Sequence, residues 1–247
     1  MKPHEHDIMR AVEDHYWWYQ ALRQHVVDSI EPGGGTFSVL DAGCGSGGML
    51  AALREKFPQA ELTGIDESEH AVELVRARRI GAQVLCASVH ELPFPAQTFD
   101  FVLSLDVWSH AGVNDALAAH EVHRVLRPGG KLFLNLAAFE FLKGAHDCAV
   151  DVDRRYTRAQ VRAILRGENF EIERLTYWNA VFAPPIALLR WLSRHRAPSD
   201  EARSDFRPLP SFVNSALKGF AALELRATRH LSLPFGTSVF GVARKHG

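Results

Sequence analysis

Residues Val39 to Gly48 read VLDAGCGSGG. A short apolar run ends in glycines spaced G-x-G-x-x-G at Gly43, Gly45 and Gly48, the mark of a strand turning into a helix where backbone must approach a ligand closely. The glycines alone do not name the ligand, because several nucleoside-containing molecules use the same turn. Two residues before the first of them stands Asp41. An ionised carboxylate there repels a pyrophosphate seated at the helix N-terminus, and it attracts a ligand that is phosphate-free and cationic.

Outward from this turn the chain alternates between strand and helix. FSVLDAG leads to a helix from about Gly48 to Lys56; ELTGID (61–66) leads to the helix SEHAVELVRARRI, which Gly81 stops. QVLCAS follows, and FDFVLSLDV (99–107) has the near-continuous apolar character of a central parallel strand buried on both faces. NDALAAHEVHRVL is helical, RPGG punctuates it, and KLFLNLA (131–137) is the fifth strand. Thr157 and Gln160 form a capping box for a helix ending near Gly167, with FEIERLTYW (170–178) and TSVFGVARK (237–245) as the sixth and seventh strands. This order predicts an α/β, doubly wound, mostly parallel sheet in one domain, residues 1–247. Residues 8–30 form one further helix in this reading, with Ile8, Val12, Tyr16, Tyr19, Leu22, Val26 and Ile30 on its buried stripe. Trp17 and Trp18 fall off that stripe. Between the last two strands, residues 180–232 are an insertion with two helical patterns, near 185–195 and 212–231. The second has a stripe of Val213, Leu217, Phe220, Leu223 and Ala227, and RHRAPSDEARSDFRP (194–208) between the two has the composition of a loop.

Composition narrows the class. Of 247 residues 47% are hydrophobic and 23% charged, the balance of a folded globular chain. The 28 basic and 29 acidic side chains give a formal charge of −1, which supplies no electrostatic footprint for nucleic acid. Cys44, Cys86 and Cys148 are odd in number and widely spaced, which predicts neither a disulfide framework nor a zinc site and fits a cytoplasmic setting. The start MKPHEHDIMR has no apolar core for a signal peptide, and the longest apolar run, VFAPPIALL (181–189), is too short to span a membrane. His4 and His6 read as part of a frayed terminus, so no metal is expected.

S-adenosylmethionine (SAM) fits the requirement set by Asp41, since it has no phosphate and carries ammonium and sulfonium cations. Asp66, at the tip of the second strand, is where a carboxylate accepts hydrogen bonds from ribose hydroxyls. Taken together, VLDAGCGSGG, LTGID, ELPFPAQTFDFVLS and HRVLRPGGKLFLN resemble, in order, the motifs of the class I SAM-dependent methyltransferases. The resemblance covers about residues 37–178 and the terminal strand. It implies a seven-stranded Rossmann-like sheet with an antiparallel last strand, an N-terminal lid helix (1–32) and a product, S-adenosylhomocysteine (SAH). It further implies that Asp41, Gly43, Cys44 and Gly45 line the methionine end, that Asp66 and Glu67 hold the ribose, and that Ser88 and Val89 flank the adenine. Leu105 and Asp106 then lie at the mouth. Ser88 departs from the aspartate common in the family, which leaves His90 as a second candidate for the adenine. Trp17 and Trp18 suit a lid over the cofactor or an aromatic acceptor wall.

The acceptor side follows from the chemistry. A hydroxyl benefits from a base, whereas a carboxylate needs only positioning. His110, at the end of SLDVWSH with Trp108, is the candidate base. Arg154 and Arg155 in HDCAVDVDRRYT suit an anionic acceptor, with Tyr156 as a hydrogen-bonding partner; an ion-pair cluster with Asp151 and Asp153 is the structural alternative. The expected function is transfer of a methyl group to a small-molecule acceptor, O-methylation of a carboxylate or hydroxyl, by a homodimer whose insertion serves as lid and interface. The alternatives are C- or N-methylation of a small metabolite, a non-catalytic SAM-binding protein, and, against Asp41, an NAD(P)-dependent dehydrogenase. SLDVWSH lacks the Pro-Pro-aromatic motif of nucleic-acid amino methyltransferases, so no nucleic-acid substrate is expected.

Overall fold

The computed structural model describes residues 3–193 and 209–246. Seven strands form one sheet: β1 (Ser38–Ala42), β2 (Glu61–Asp66), β3 (Gln83–Cys86), β4 (Phe99–Leu105), β5 (Leu126–Ala137), β6 (Phe170–Trp178) and β7 (Ser238–Lys245), in the order β3-β2-β1-β4-β5-β7-β6. Strands β1 to β5 pair in parallel, and β7 runs antiparallel between β5 and β6. The expected doubly wound sheet with an antiparallel last strand is therefore present.

Because successive residues of a strand face opposite sides, the sheet feeds two cores. Val39, Leu103 and Phe133 face a core shared with α2 (Trp17–Ser29), α3 (Gly48–Lys56), α4 (Glu69–Ala77) and α9 (Ser211–Ala227), all numbered in chain order from α1 (Pro3–Val12). Leu40, Val102, Leu132 and Leu134 face the other, shared with α5 (Asp115–Val125) and α7 (Arg158–Gly167). Two short helices, α6 (Ala145–Ala149) and α8 (Ala183–Ser193), complete the order. The capping box predicted at Thr157 and Gln160 opens α7. The glycine loop leaves the sheet between β1 and β4, where the connections depart in opposite directions and an open α/β sheet has its crevice.

Three expectations are corrected. The single N-terminal helix is two, α1 and α2, broken at Glu13 to Tyr16. Tyr16 is extended (φ −74°, ψ 129°), the Trp17 N–H goes to Asn214 Oδ1 at 2.9 Å, and the carboxylates of Glu13 and Asp14 turn to Arg78 of the loop after α4. Tertiary ion pairs thus break a helix whose apolar period runs on through the bend. Second, β5 starts at Leu126, so RPGG lies inside its run as an irregularity opposite Asp100. Gly129 takes φ +79°, and Arg127 Nη1 donates to both Asp100 oxygens at 2.8 Å. Third, α9 buries Ala221 and Leu225, with Leu217 partly covered, while Phe220 and Leu223 of the predicted stripe point outward. The loop expected at 194–208 lies outside the described residues. Among those residues, no helix is long and apolar enough to cross a membrane.

Candidate active site

A cavity of about 740 Å³ opens at the C-terminal ends of β1, β2, β4 and β5, roofed by α1 and α2. Its floor is the glycine loop. Gly43 N–H and Cys44 N–H both donate to the Ile65 carbonyl at 2.8 Å, and Gly45 N–H donates to Asp66 Oδ2 at 2.9 Å. Gly43 sits at φ +93°, and a Cβ there would run into Val107 Cγ2, so neither the turn nor the space tolerates a side chain.

The cavity is acidic. Seven carboxyls and two guanidinium groups line it among the described residues. Asp41 is buried and its Oδ2 has no hydrogen-bond partner; burial, then the charges of Asp66 and Glu13, push its pKa up from the usual 3.8 to about 7. Asp106, in a left-handed conformation (φ +63°), is likewise raised to about 7 by burial, against the pull of Asn135 and Arg155. Asn135 Nδ2 donates to both Asp106 oxygens at 2.9 and 3.1 Å, and Trp178 Nε1 donates to Asn135 Oδ1 at 2.8 Å. Trp178 in turn stacks on Trp18 with ring centroids 5.6 Å apart, so α2 rests on the polar chain that orients Asp106.

The α1–α2 turn is latched to the glycine loop. Glu13 Oε1 accepts from Ser46 Oγ and from Arg78 Nη2, and Arg23 bridges Asp14 Oδ1 at 3.2 Å and the Glu13 carbonyl. Met9 Cε would lie 2.6 Å from a Cβ at Gly45, so α1 closes directly over the loop. The residues fit SAM. Orphaned Asp41, with Glu13 beside it, is a buried acidic site that a cation would satisfy, and Arg23 of α2, whose guanidinium lies by Gly48 at the start of α3, would hold the ligand's carboxylate. A pyrophosphate would instead face Glu13 and Asp41 together.

Of the residues expected from the sequence, Asp41, Gly43, Cys44, Gly45, Asp66, Glu67, Val89, Leu105, Trp17 and Trp18 come together on this cavity, with His110 and Arg155. Five do not line it. Ser88 Oγ donates to Glu67 Oε1 at 2.6 Å, and His90 Nε2 accepts from Asn114 N–H at 2.8 Å, capping rather than facing a ligand. Trp108 is fully buried in the second core. Arg154 donates to Asp115 Oδ2 at 3.3 Å and to the Val113 carbonyl, an ion pair with a different acid from those expected. Tyr156 Oη lies 2.9 Å from both the Trp108 carbonyl and Asp115 Oδ2, and burial and that carboxylate raise its pKa far above the normal range, so its hydroxyl is a structural tie. Arg155 does reach the cavity, held by Asp147 at 2.8 Å and by the Ala138 carbonyl at 3.0 Å.

The sequence reading passed over Glu13, Arg23 and Met9, and its placing of His6 in a frayed terminus is corrected: His6 lies in α1. Glu13 and Arg23 lie within or beside the aromatic stretch already marked as a lid, and their charges amid apolar residues were the available signal. His6 is buried, lines the cavity, and has no partner at either ring nitrogen.

Residues 40–134 match the family described as "Methyltransferase domain". A malonyl-[acyl-carrier protein] O-methyltransferase of Salmonella typhimurium is 36% identical over 119 residues, 47% of this chain and 46% of that protein. A fatty-acid O-methyltransferase of Mycolicibacterium smegmatis is 37% identical over 94 residues, 37% of this chain and 34% of that protein. The chain thus matches less than half the length of either relative. Among solved structures, a chain of the Haloferax volcanii complex between a methyltransferase activator and a methyltransferase superposes with TM-score 0.65 at 20% identity, covering 99% of this chain and 94% of that one.

Proposed function

We propose that this chain, whose residues 40–134 match the methyltransferase-domain family, is a class I SAM-dependent methyltransferase that transfers the methyl group of SAM to an oxygen of a small acceptor. The observation that carries this reading is the acid-lined cavity at an intact glycine loop, with Asp41 buried and lacking a partner for Oδ2. Asp41 and Glu13 would hold the ammonium and Arg23 the carboxylate of the cofactor; Asp66 and Glu67 would hold its ribose, and Ala87 and Val89 the face of its adenine. SAM supplies an electrophilic methyl group, so the chain's remaining task is to orient the acceptor in line with it, exclude water and receive a proton where one is released.

Trp17, Trp18 and the latched turn supply the exclusion, and His110 is the group suited to the proton. Its Nδ1 is buried and has no partner, and burial, set partly against the nearby Asp151 backbone and charge, keeps its pKa below the ordinary value. A histidine buried in this way favours its neutral form, which carries a lone pair. The acceptor end is walled by Val113, Leu142, Val150, Val152 and Ile186, which suits an acceptor with apolar surface. We further read the protein as a cytoplasmic homodimer: Cys44, Cys86 and Cys148 are free thiols, and Phe212 and Leu223 of α9 are 75% and 65% exposed on one apolar flank. Light scattering should give a dimer that Leu223→Glu dissociates.

The activity test is incubation with methyl-labelled SAM and a panel of alcohols, phenols and carboxylic acids. Label in an extractable product supports the reading. Tight SAM binding with no transfer to any panel member would instead make this a cofactor-binding protein without turnover.

A further inference from the structure

Among the described residues, both guanidinium groups on the cavity wall are already committed. Arg155 gives its Nε and Nη2 to Asp147 at 3.0 and 2.8 Å and its Nη1 to the Ala138 carbonyl, and Arg23, beside Asp14 and the Glu13 carbonyl, is the group assigned above to the cofactor's own carboxylate. A carboxylate acceptor would therefore enter a cavity with a surplus of acids and no unpaired guanidinium to meet it. Two imidazoles face the same space. His110 is buried with Nδ1 unpartnered, and His6 arrives from α1 with both nitrogens unpartnered. Burying such groups without hydrogen bonds is costly unless a bound molecule completes them.

A neutral imidazole offers one donor and one acceptor, and a hydroxyl offers both in return, whereas a carboxylate only accepts. Resting on the methyltransferase reading above, we propose that His6, carried in by the N-terminal helix, is a second acceptor-contacting residue, and that the His6–His110 pair selects a neutral hydroxyl, alcohol or phenol, over a carboxylate. The hydroxyl proton passes to His110 Nδ1 as the oxygen forms its bond to the methyl carbon. The sulfur keeps the electron pair of the broken S–CH₃ bond and becomes a neutral thioether. The positive charge lost at sulfur reappears on the imidazole, so the acid-lined cavity holds the same net charge before and after. The His6 ring nitrogen donates to the hydroxyl oxygen and fixes its direction. The charged and titratable groups around His6 are Asp66 at the end of β2, His70 of α4 with its partner Asp7 at 2.8 Å, His110, and Glu5 on its own helix.

The test uses the full chain, methyl-labelled SAM, and two acceptor sets, straight-chain carboxylic acids and phenols with alcohols. Mild alkali separates the products, because methyl esters release labelled methanol and methyl ethers do not. The expected result is alkali-stable label. His6→Leu should lower kcat/KM by about tenfold with partial recovery in His6→Gln, and His110→Leu should lower it about a hundredfold, with SAH affinity kept within about threefold in all three. Alkali-labile label, or a His6→Leu enzyme with normal kcat/KM, overturns the inference while leaving the methyltransferase reading intact. An SAH affinity that falls in step with activity overturns it too, by assigning His6 to the cofactor. No transfer to either set overturns both.

Discussion

Replacing Asp41 by Asn tests the electrostatics of the cavity through stability alone. With its pKa raised from 3.8 to about 7, Asp41 holds its proton in the folded state over a range where the unfolded chain has lost it. The native state then binds more protons than the unfolded state, so stability falls as pH rises from about 4 to 7. At 1.36 kcal/mol per pKa unit the cost is about 1.5 kcal/mol at pH 5 and about 4 kcal/mol at pH 8, a difference of roughly 2.5 kcal/mol. Asn has no charge to lose, but burying its amide with its hydrogen bonds incomplete costs about 1–3 kcal/mol at every pH. The absolute effect of Asp41→Asn is thus small near pH 5 and a gain of about 1–3 kcal/mol near pH 8, and its pH dependence is the informative quantity. Urea unfolding of the ligand-free protein should show the variant gaining on wild type by roughly 2.5 kcal/mol between pH 5 and pH 8. A difference between the two proteins that stays constant across that range would refute the buried, partnerless state of Asp41.

Other outcomes follow from the same contacts. Asp66→Ala should weaken SAH binding by about tenfold or more in titration calorimetry while leaving the melting temperature within a few degrees, because its two hydrogen bonds, to Gly45 and Ser68, lie on the loop rather than in either core. Gly43→Ala should destabilise by about 1–3 kcal/mol or more, from the positive φ and from Val107, and thermal unfolding reads it directly. Asp147→Asn leaves the Arg155 guanidinium, 11% exposed, without its carboxylate; the loss should be about 3–5 kcal/mol in denaturant unfolding, and Arg155→Met in the same background should recover part of it.

The strand order and the glycine loop were legible because each rests on local chemistry. Buried parallel strands read as apolar runs, and glycines with positive φ read as turns. The break after Val12 was not legible, since Tyr16 keeps the helical N–H bond to the Val12 carbonyl at 2.8 Å and the period continues across it. What bends the chain is Arg78, more than sixty residues away. In α9 two apolar faces compete, and only the packing against α2 decides that Ala221 and Leu225 go inward while Phe220 and Leu223 do not. Arg154 and Arg155 are neighbours of identical type, so no sequence pattern tells which one the Ala138–Tyr156 bridge turns toward the cavity. His6 carried no periodic signal at all, and its place over the site comes from α1 lying across the glycine loop.

The account's central claim is that the cavity is built for a cationic, phosphate-free adenosyl ligand. Isothermal titration of the purified protein with SAM, SAH and NADH tests it most directly. Saturable binding of SAM and SAH with no heat from NADH is the predicted result. Binding of NADH without the two adenosyl ligands would contradict the roles given to Asp41, Glu13 and Arg23, and the site assignment with them.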